Sequence, residues 1–377
     1  MRIVYLTTAW RKQDYAKALS EGKKVPNPAG QNFHRRLMEG LAGQEGISLQ
    51  VYCLANPAYG YLSMEPHVLK EGSAFAYLPL KSNKLAKLLQ TGSIARQIKK
   101  DSEAQAVILY DSLSLFSSMV AEKLAKLTSW KRVAICTDNP DNITGSPAYV
   151  NAKLLSVSSN ADGYFALTKG LAQLFNPSGK PTFFDLGLVE PLPKTAFNQE
   201  APYLYYGGTL FKSYGVHELV QAYGKLNPNF ELVLAGHENS IELQELCEKT
   251  AKVHLLGQIS AEENALYEAN AIACINPKPY DERIDLYAVP SKMLEYLRYG
   301  KAIISTRCGP IQERFENHVN WIGEQSLEDY LSAHLDKEGN LIGLKENRPE
   351  AENIIEELDP SNVARRLVAF LQSNRLA

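Results

Sequence analysis

The sequence predicts an α/β protein made of two doubly wound, Rossmann-like domains facing a central cleft. Three observations lead there. Buried-strand patterns alternate with amphipathic helix patterns along the whole length. The alternation breaks once, at Phe184–Ala201, where Gly187, Pro191 and Pro193 interrupt any period and Pro202 follows. The 377 residues also exceed what one core serves, since single cores stop growing at about 250–300 residues.

The strand candidates of the first half are Ile3–Leu6, Leu49–Leu54, Val107–Tyr110, Val133–Thr137 and Gly163–Leu167. Those of the second half are Tyr203–Tyr206, Phe230–Ala235, Val253–Leu256, Ala271–Asn276 and Ala302–Thr306. Most are continuous apolar runs, as expected where helices cover both faces of a parallel sheet. The predicted domains are residues 1–188 and 202–359. A final helix at about 360–377 is expected to pack back on the first domain.

Composition narrows the class. With 45% hydrophobic and 22% charged residues the chain is globular, not disordered. No stretch approaches the roughly 20 apolar residues of a membrane span. The opening Met1–Leu6 is a short strand pattern, too short for a secretory signal core. Cys53, Cys136, Cys247, Cys274 and Cys308 are scattered, odd in number and form no Cys-x-x-Cys. They read as reduced thiols of a cytoplasmic protein rather than a disulfide or zinc framework.

The net charge of −2 hides an asymmetry. Residues 1–189 hold 22 Lys and Arg against 14 Asp and Glu, a net of +8, which leaves −10 for the remainder. A basic half implies an anionic partner. Lys81–Lys100 concentrates that charge, with six basic residues, no acidic one, and Leu85, Leu88 and Leu89 on one helical face. Such a helix is drawn to anionic lipid, so peripheral membrane contact is expected and nucleic acid is not.

Ligands of doubly wound sheets bind at the carboxyl ends of the strands. The strongest motif there is Asn276-Pro277-Lys278-Pro279, followed by Pro290-Ser291-Lys292-Met293-Leu294-Glu295-Tyr296-Leu297 and then Gly300. It reads as a strand end, a crossing loop, and a helix with Pro in its first turn. Free N–H groups at that helix start, with Ser291 and Lys292 beside them, suit a diphosphate. Glu295, one turn on, suits ribose hydroxyls. A second motif, Tyr206-Gly207-Gly208-Thr209, ends a strand in two glycines that let the backbone approach a diphosphate, with Lys212 as a cationic partner. Gly257, after another strand, lets a flat base lie against the backbone.

In the first half, a strand runs into Asp138-Asn139-Pro140-Asp141. Carboxylates at a strand end are candidates for acid/base work, and Asp138 is the one expected nearest the reacting bond. Helix capping or an Asx turn explains the same residues. No Asp-x-Asp pair follows a strand, so neither metal nor cofactor is expected.

The second-half motifs resemble those of glycosyltransferase family 4, above all its bacterial polysaccharide-biosynthesis subgroup. There an Asn-Pro-Arg-Pro run precedes Pro-Ser-Lys-x-x-Glu-Tyr-Leu and Gly-x-Pro-Val at similar spacing. The likeness covers most of residues 203–310. It implies a GT-B fold and a hexosyltransferase that uses a nucleotide-diphosphate sugar, with a lipid-linked oligosaccharide or surface-polysaccharide acceptor. It also implies that Glu295 holds the ribose, that Ser291 and Lys292 sit by the diphosphate, and that Gly257 to Ile259 frame the base. The loop at Gly30 would approach the donor phosphates. Relatives carry a donor-sugar Glu eight residues before Glu295, where this chain has Tyr287, and Glu282 is a substitute for it. Thr209 and Tyr214 stand near family Arg and Lys positions, which leaves Lys212 as the basic candidate. A retaining outcome, with the donor phosphate taking the acceptor proton, is expected ahead of an inverting one that uses a first-domain carboxylate. A sugar-nucleotide epimerase and a non-catalytic GT-B partner are the competing readings.

Overall fold

The computed structural model describes residues 1–26, 28–59, 66–70, 72–102, 104–142, 146–189, 201–237, 240–346, 353 and 356–377, without the side chains of 28, 29 and 84. They divide into two compact units. One comprises Met1–Leu188, Leu286–Ala288 and Leu358–Ala377; the other comprises Val189–Asp285 and Val289–Glu357. Most of the Pro-rich seam expected at 184–201 lies outside the described residues.

The first unit contains one eight-stranded sheet. Its strands are β1 (Arg2–Thr7), β2 (Ser48–Ala55), β3 (His67–Lys70), β4 (Ser73–Pro79), β5 (Val107–Asp111), β6 (Arg132–Cys136), β7 (Gly163–Ala166) and β8 (Thr182–Phe184). The order is β3-β4-β2-β1-β5-β6-β7-β8, and only the β3/β4 pair is antiparallel. Ile3, Val4, Tyr5 and Leu6 are all fully buried, as a strand covered on both faces requires.

The second unit contains a six-stranded sheet of β9 (Tyr203–Gly207), β10 (Glu231–Ala235), β11 (Val253–Gly257), β12 (Ala273–Asn276), β13 (Ala302–Ser305) and β14 (Asn320–Trp321). Its order is β11-β10-β9-β12-β13-β14, parallel throughout. This is the doubly wound Rossmann order, in which the chain starts at the centre, winds to one edge and then to the other. Its core gathers Leu204, Tyr206, Leu232, Leu234, Ile275 and Ile304. Both sheets therefore have a switch point. In the first, Thr7 and Asp111 end the two central strands; in the second, Gly207 and Asn276 do.

All ten strand candidates are present, within one or two residues at each end. Four further strands are edge or near-edge elements that the apolar-run criterion passes over. In β4, Ser73, Phe75 and Tyr77 alternate inward instead of forming a run. β3 is mostly exposed, and β8 and β14 have three and two residues.

The final helix, Pro360–Ser373, buries Val363, Ala364, Leu367 and Leu371 and packs against the Pro28–Gly43 helix of the first unit. Arg366 also pairs with Asp185. The approach is close at Gly40, where a Cβ would stand 2.1 Å from the Pro360 carbonyl oxygen and 3.2 Å from the Ala364 Cβ. Gly40→Ala is expected to lower stability in denaturant unfolding by about 1–3 kcal/mol, as overpacking does. Gly43→Ala, in the same helix but with no neighbour within 4 Å, is the control that should change little.

Candidate nucleotide-sugar site

The Ser291–Leu297 helix begins directly after Pro290, which occupies the cap position rather than the first turn. Pro290 offers no side-chain cap bond, so the first N–H groups of the helix keep their capacity for an anion. Ser291 beside them is exposed. Lys292 turns back toward the end of β9. Its Nζ donates a 2.9 Å hydrogen bond to the Tyr206 hydroxyl, which itself donates 2.7 Å to the Thr209 carbonyl. The ammonium lies 4.1 Å from the Tyr206 ring centroid and 5.4 Å from that of Tyr214.

Gly208 makes this possible. Its φ is +152°, and a Cβ there would meet Lys292 Nζ at 2.9 Å and Cε at 3.1 Å. Gly207 is anchored from beneath, its N–H donating 3.0 Å to the Tyr296 hydroxyl. The loops after β12 and β9 are pressed together at Gly215 (φ +75°), whose missing Cβ leaves room for the Pro277 carbonyl. Lys278 lies 5.9 Å from the Tyr214 ring and pairs with Asp285 at 3.7 Å. Two ammonium groups thus converge on one tyrosine at the switch point.

Electrostatics follow from this packing. Lys292 is bonded to a neutral hydroxyl, and burial lowers its pKa to about 7, with Lys278 adding to the effect. The negative charge of an arriving diphosphate would oppose both.

A buried network supports the same helix from behind. The Arg298 guanidinium pairs with Glu268 at 2.9 Å and donates from Nε to the Glu295 carbonyl at 3.2 Å. Asn264 donates to Glu268 at 2.7 Å and accepts from the Tyr205 hydroxyl at 2.7 Å. Burial, and then the Glu295 carboxylate, push the Glu268 carboxyl upward. Glu295 itself is half-buried.

The remaining sequence candidates spread more widely. Lys212 pairs with Glu242 at 3.2 Å on the exposed surface. Glu282 is exposed at the start of a short helix, Glu282–Asp285, whose last residue is buried. Tyr287 is partly buried within Leu286–Ala288, the segment grouped with the first unit. Gly257 ends β11 at φ +68° with nothing within 4 Å of a Cβ, and Ile259 follows partly buried. Gly30 lies exposed in the Pro28–Gly43 helix, also without such a neighbour. Asp138 accepts from the Asn139 N–H at 2.7 Å and from Asn142 Nδ2 at 3.0 Å, which ties down its own turn. Tyr206, Tyr214 and Lys278 were not singled out as ligands from sequence. The signal for Tyr206 was its place at a strand end before two glycines.

Comparison with known proteins agrees with this architecture. Residues 191–356 match the family described as glycosyl transferases group 1. A sucrose-phosphate synthase from Thermosynechococcus elongatus superposes with a TM-score of 0.70 at 14% identity, covering 99% of each chain. HepE of Anabaena, solved in complex with UDP, gives 0.65 at 13% identity, covering 99% of this chain and 100% of that one. An α,α-trehalose-phosphate synthase (UDP-forming) from Burkholderia xenovorans, in complex with glucose-6-phosphate, gives 0.66 at 10% identity over 100% of both. The chain has the GT-B fold. No curated protein sequence matches it at a significant level. The family match covers residues 191–356, and the shared fold extends over the whole chain.

The lowered Lys292 has a stability signature. Between about pH 7 and 10.5 the unfolded chain holds a proton on this lysine that the folded chain lacks. The burial penalty is therefore full at and below pH 7 and fades as pH rises toward 10.5. Lys292→Met should stabilise the protein by on the order of 1–3 kcal/mol at pH 6, with an advantage that shrinks at pH 9. Denaturant melts at both values check this, and an advantage that grows with pH would refute it.

Proposed function

We propose that the chain is a glycosyltransferase moving a sugar from a nucleoside-diphosphate sugar to a hydroxyl of a lipid-linked oligosaccharide or surface-polysaccharide acceptor. One observation carries the donor side: a part-buried ammonium, Lys292, bonded to a tyrosine hydroxyl at the start of a helix on the second unit's switch point. A diphosphate is the ligand whose charge that arrangement answers. The leaving nucleoside diphosphate gains negative charge as the glycosidic bond breaks, so Lys292 and the helix N–H groups act on the transition state. Ser291 is assigned to the same phosphates. Glu295 is assigned to the ribose, where a carboxylate accepts from paired hydroxyls. Two of the similar structures are described as UDP-bound or UDP-forming, which makes UDP the first donor nucleotide to test.

The reaction is proposed to need no metal, because fixed cations and N–H groups take the charge that a divalent ion would otherwise neutralise. It is proposed to proceed with retention, the donor phosphate accepting the acceptor proton.

The acceptor side rests on the Lys84–Lys100 helix. Its first turns expose Leu85, Leu88 and Leu89, at 67, 38 and 72%. Lys81, Lys99 and Lys100 are exposed with them. Exposed leucines among lysines suit an anionic bilayer, on whose inner face the enzyme would meet a lipid-linked acceptor. Among the described residues no helix is long and apolar enough to cross a membrane.

Glu295→Ala should weaken UDP binding by about 1.5–3 kcal/mol in calorimetry with the fold intact. Unchanged affinity would refute the ribose assignment. EDTA should leave sugar transfer unchanged, and strict dependence on added magnesium or manganese would contradict the metal-free reading. In liposome flotation, wild type should rise with anionic vesicles at low salt, and a Leu85→Ser, Leu89→Ser variant should rise less. Wild type left in the soluble fraction would remove the membrane proposal.

A further inference from the structure

The buried network behind the Ser291–Leu297 helix contains a charge pair that packing alone does not explain. Glu268 and Arg298 are only 1% and 5% exposed. Two charges taken from water at that depth are poorly repaid by their mutual attraction. An apolar pair of similar size is commonly as stable or more so. A reason for keeping the charges has to be sought in what they hold.

The bonds run toward Glu295. Arg298 caps the helix one turn after Glu295, a spacing that puts both on one side of the helix end. Its Nε donates to the Glu295 carbonyl at 3.2 Å, and its Nη2 donates to Glu268 Oε2 at 2.9 Å. A planar fork reaches both partners at once, which an ammonium cannot do. Burial opposes the guanidinium's charge, and the carboxylates of Glu268 and then Glu295 outweigh it. Glu268 is fixed in turn. Its Oε1 accepts from Asn264 Nδ2 at 2.7 Å, and Asn264 Oδ1 accepts from the Tyr205 hydroxyl at 2.7 Å. Burial, and then the Glu268 charge, keep Tyr205 protonated, so the Asn264 amide has one orientation. That amide oxygen stands 2.6 Å from where a Gly207 Cβ would be, which ties the network to the end of β9.

We propose that Glu268 and Arg298 are positioning residues that hold Glu295 in one orientation toward the ribose, and so make the site select ribonucleotides over deoxyribonucleotides. The pair has no contact with the ligand in this account. It clamps the end of the helix from behind, and the Glu295 carboxylate does the recognising. Lys292 is held separately, by Tyr206 at the other end of the helix. The proposal rests on the assignment of Glu295 to the ribose.

Calorimetry of the full chain with UDP and 2′-deoxy-UDP is the test. Wild type should bind UDP at least about tenfold more tightly, the worth of one charged hydrogen bond. Glu268→Leu combined with Arg298→Met removes both charges together, and should keep the fold as apolar replacement of a buried pair commonly does. Its preference for UDP should fall to within about threefold, through weaker binding of UDP and little change for 2′-deoxy-UDP. A pair that only filled space would leave the preference as in wild type. Arg298→Lys guards against misfolding of the double variant. It keeps a charge beside Glu268 but loses the fork, so the preference should again fall several-fold. An undiminished preference in either folded variant overturns the proposal. Two other failures read differently. Wild type that binds no UDP removes the donor reading, and wild type that binds UDP and 2′-deoxy-UDP equally removes the ribose assignment. Either result overturns this proposal with it.

Discussion

A side chain at residue 208 could not coexist with Lys292 where it stands. The ammonium fits only because Gly208 presents bare backbone at the end of β9. From that contact the rest of the second unit's edge follows. Lys292 reaches the Tyr206 hydroxyl, and its helix begins beside the switch point. The loops after β9 and β12 meet at Gly215 and Pro277. The cost is a lysine kept part-buried without a good counter-charge, which lowers its pKa and destabilises the empty protein. Such strain persists where a ligand of opposite charge relieves it.

The two units solve related problems with opposite chemistry. Each is wound from the centre outward, so each leaves a crevice at the ends of its two central strands. In the second unit cations and helix N–H groups gather there, suited to phosphate. In the first a carboxylate, Asp111, and a hydroxyl, Thr8, stand there instead. The net charges of the two halves run the other way, +8 and −10, so bulk charge does not predict which crevice takes the anion. Local placement decides it. The excess positive charge of the first half includes that of the Lys84–Lys100 helix, whose Lys99 and Lys100 are exposed.

Much of this was legible in the sequence, for identifiable reasons. Strands such as Ile3–Leu6 and Val107–Tyr110 are continuous apolar runs because helices cover both faces, and such runs are easy to read. Alternating β4 and the short edge strands β8 and β14 give no such run. The helix at Ser291 was legible from Pro290 and Gly300, though Pro290 proved to be the cap. What sequence could not convey was direction. Lys212 and Lys292 look equally suited to a phosphate, yet one pairs with Glu242 at the surface and the other turns inward across Gly208. Asp138 drew attention as a strand-end carboxylate, and it is engaged in local turn bonds.

The central claim is that an ammonium lowered by burial awaits a nucleoside diphosphate at the second unit's switch point. Calorimetric titration of UDP at pH 8, in buffers of different ionisation enthalpy, tests it most directly. With a pKa of about 7 the lysine is mostly neutral at that pH, and the bound diphosphate restores its charge. The account predicts uptake of close to one proton per UDP bound, absent in Lys292→Met. UDP binding to wild type with no proton uptake would contradict it.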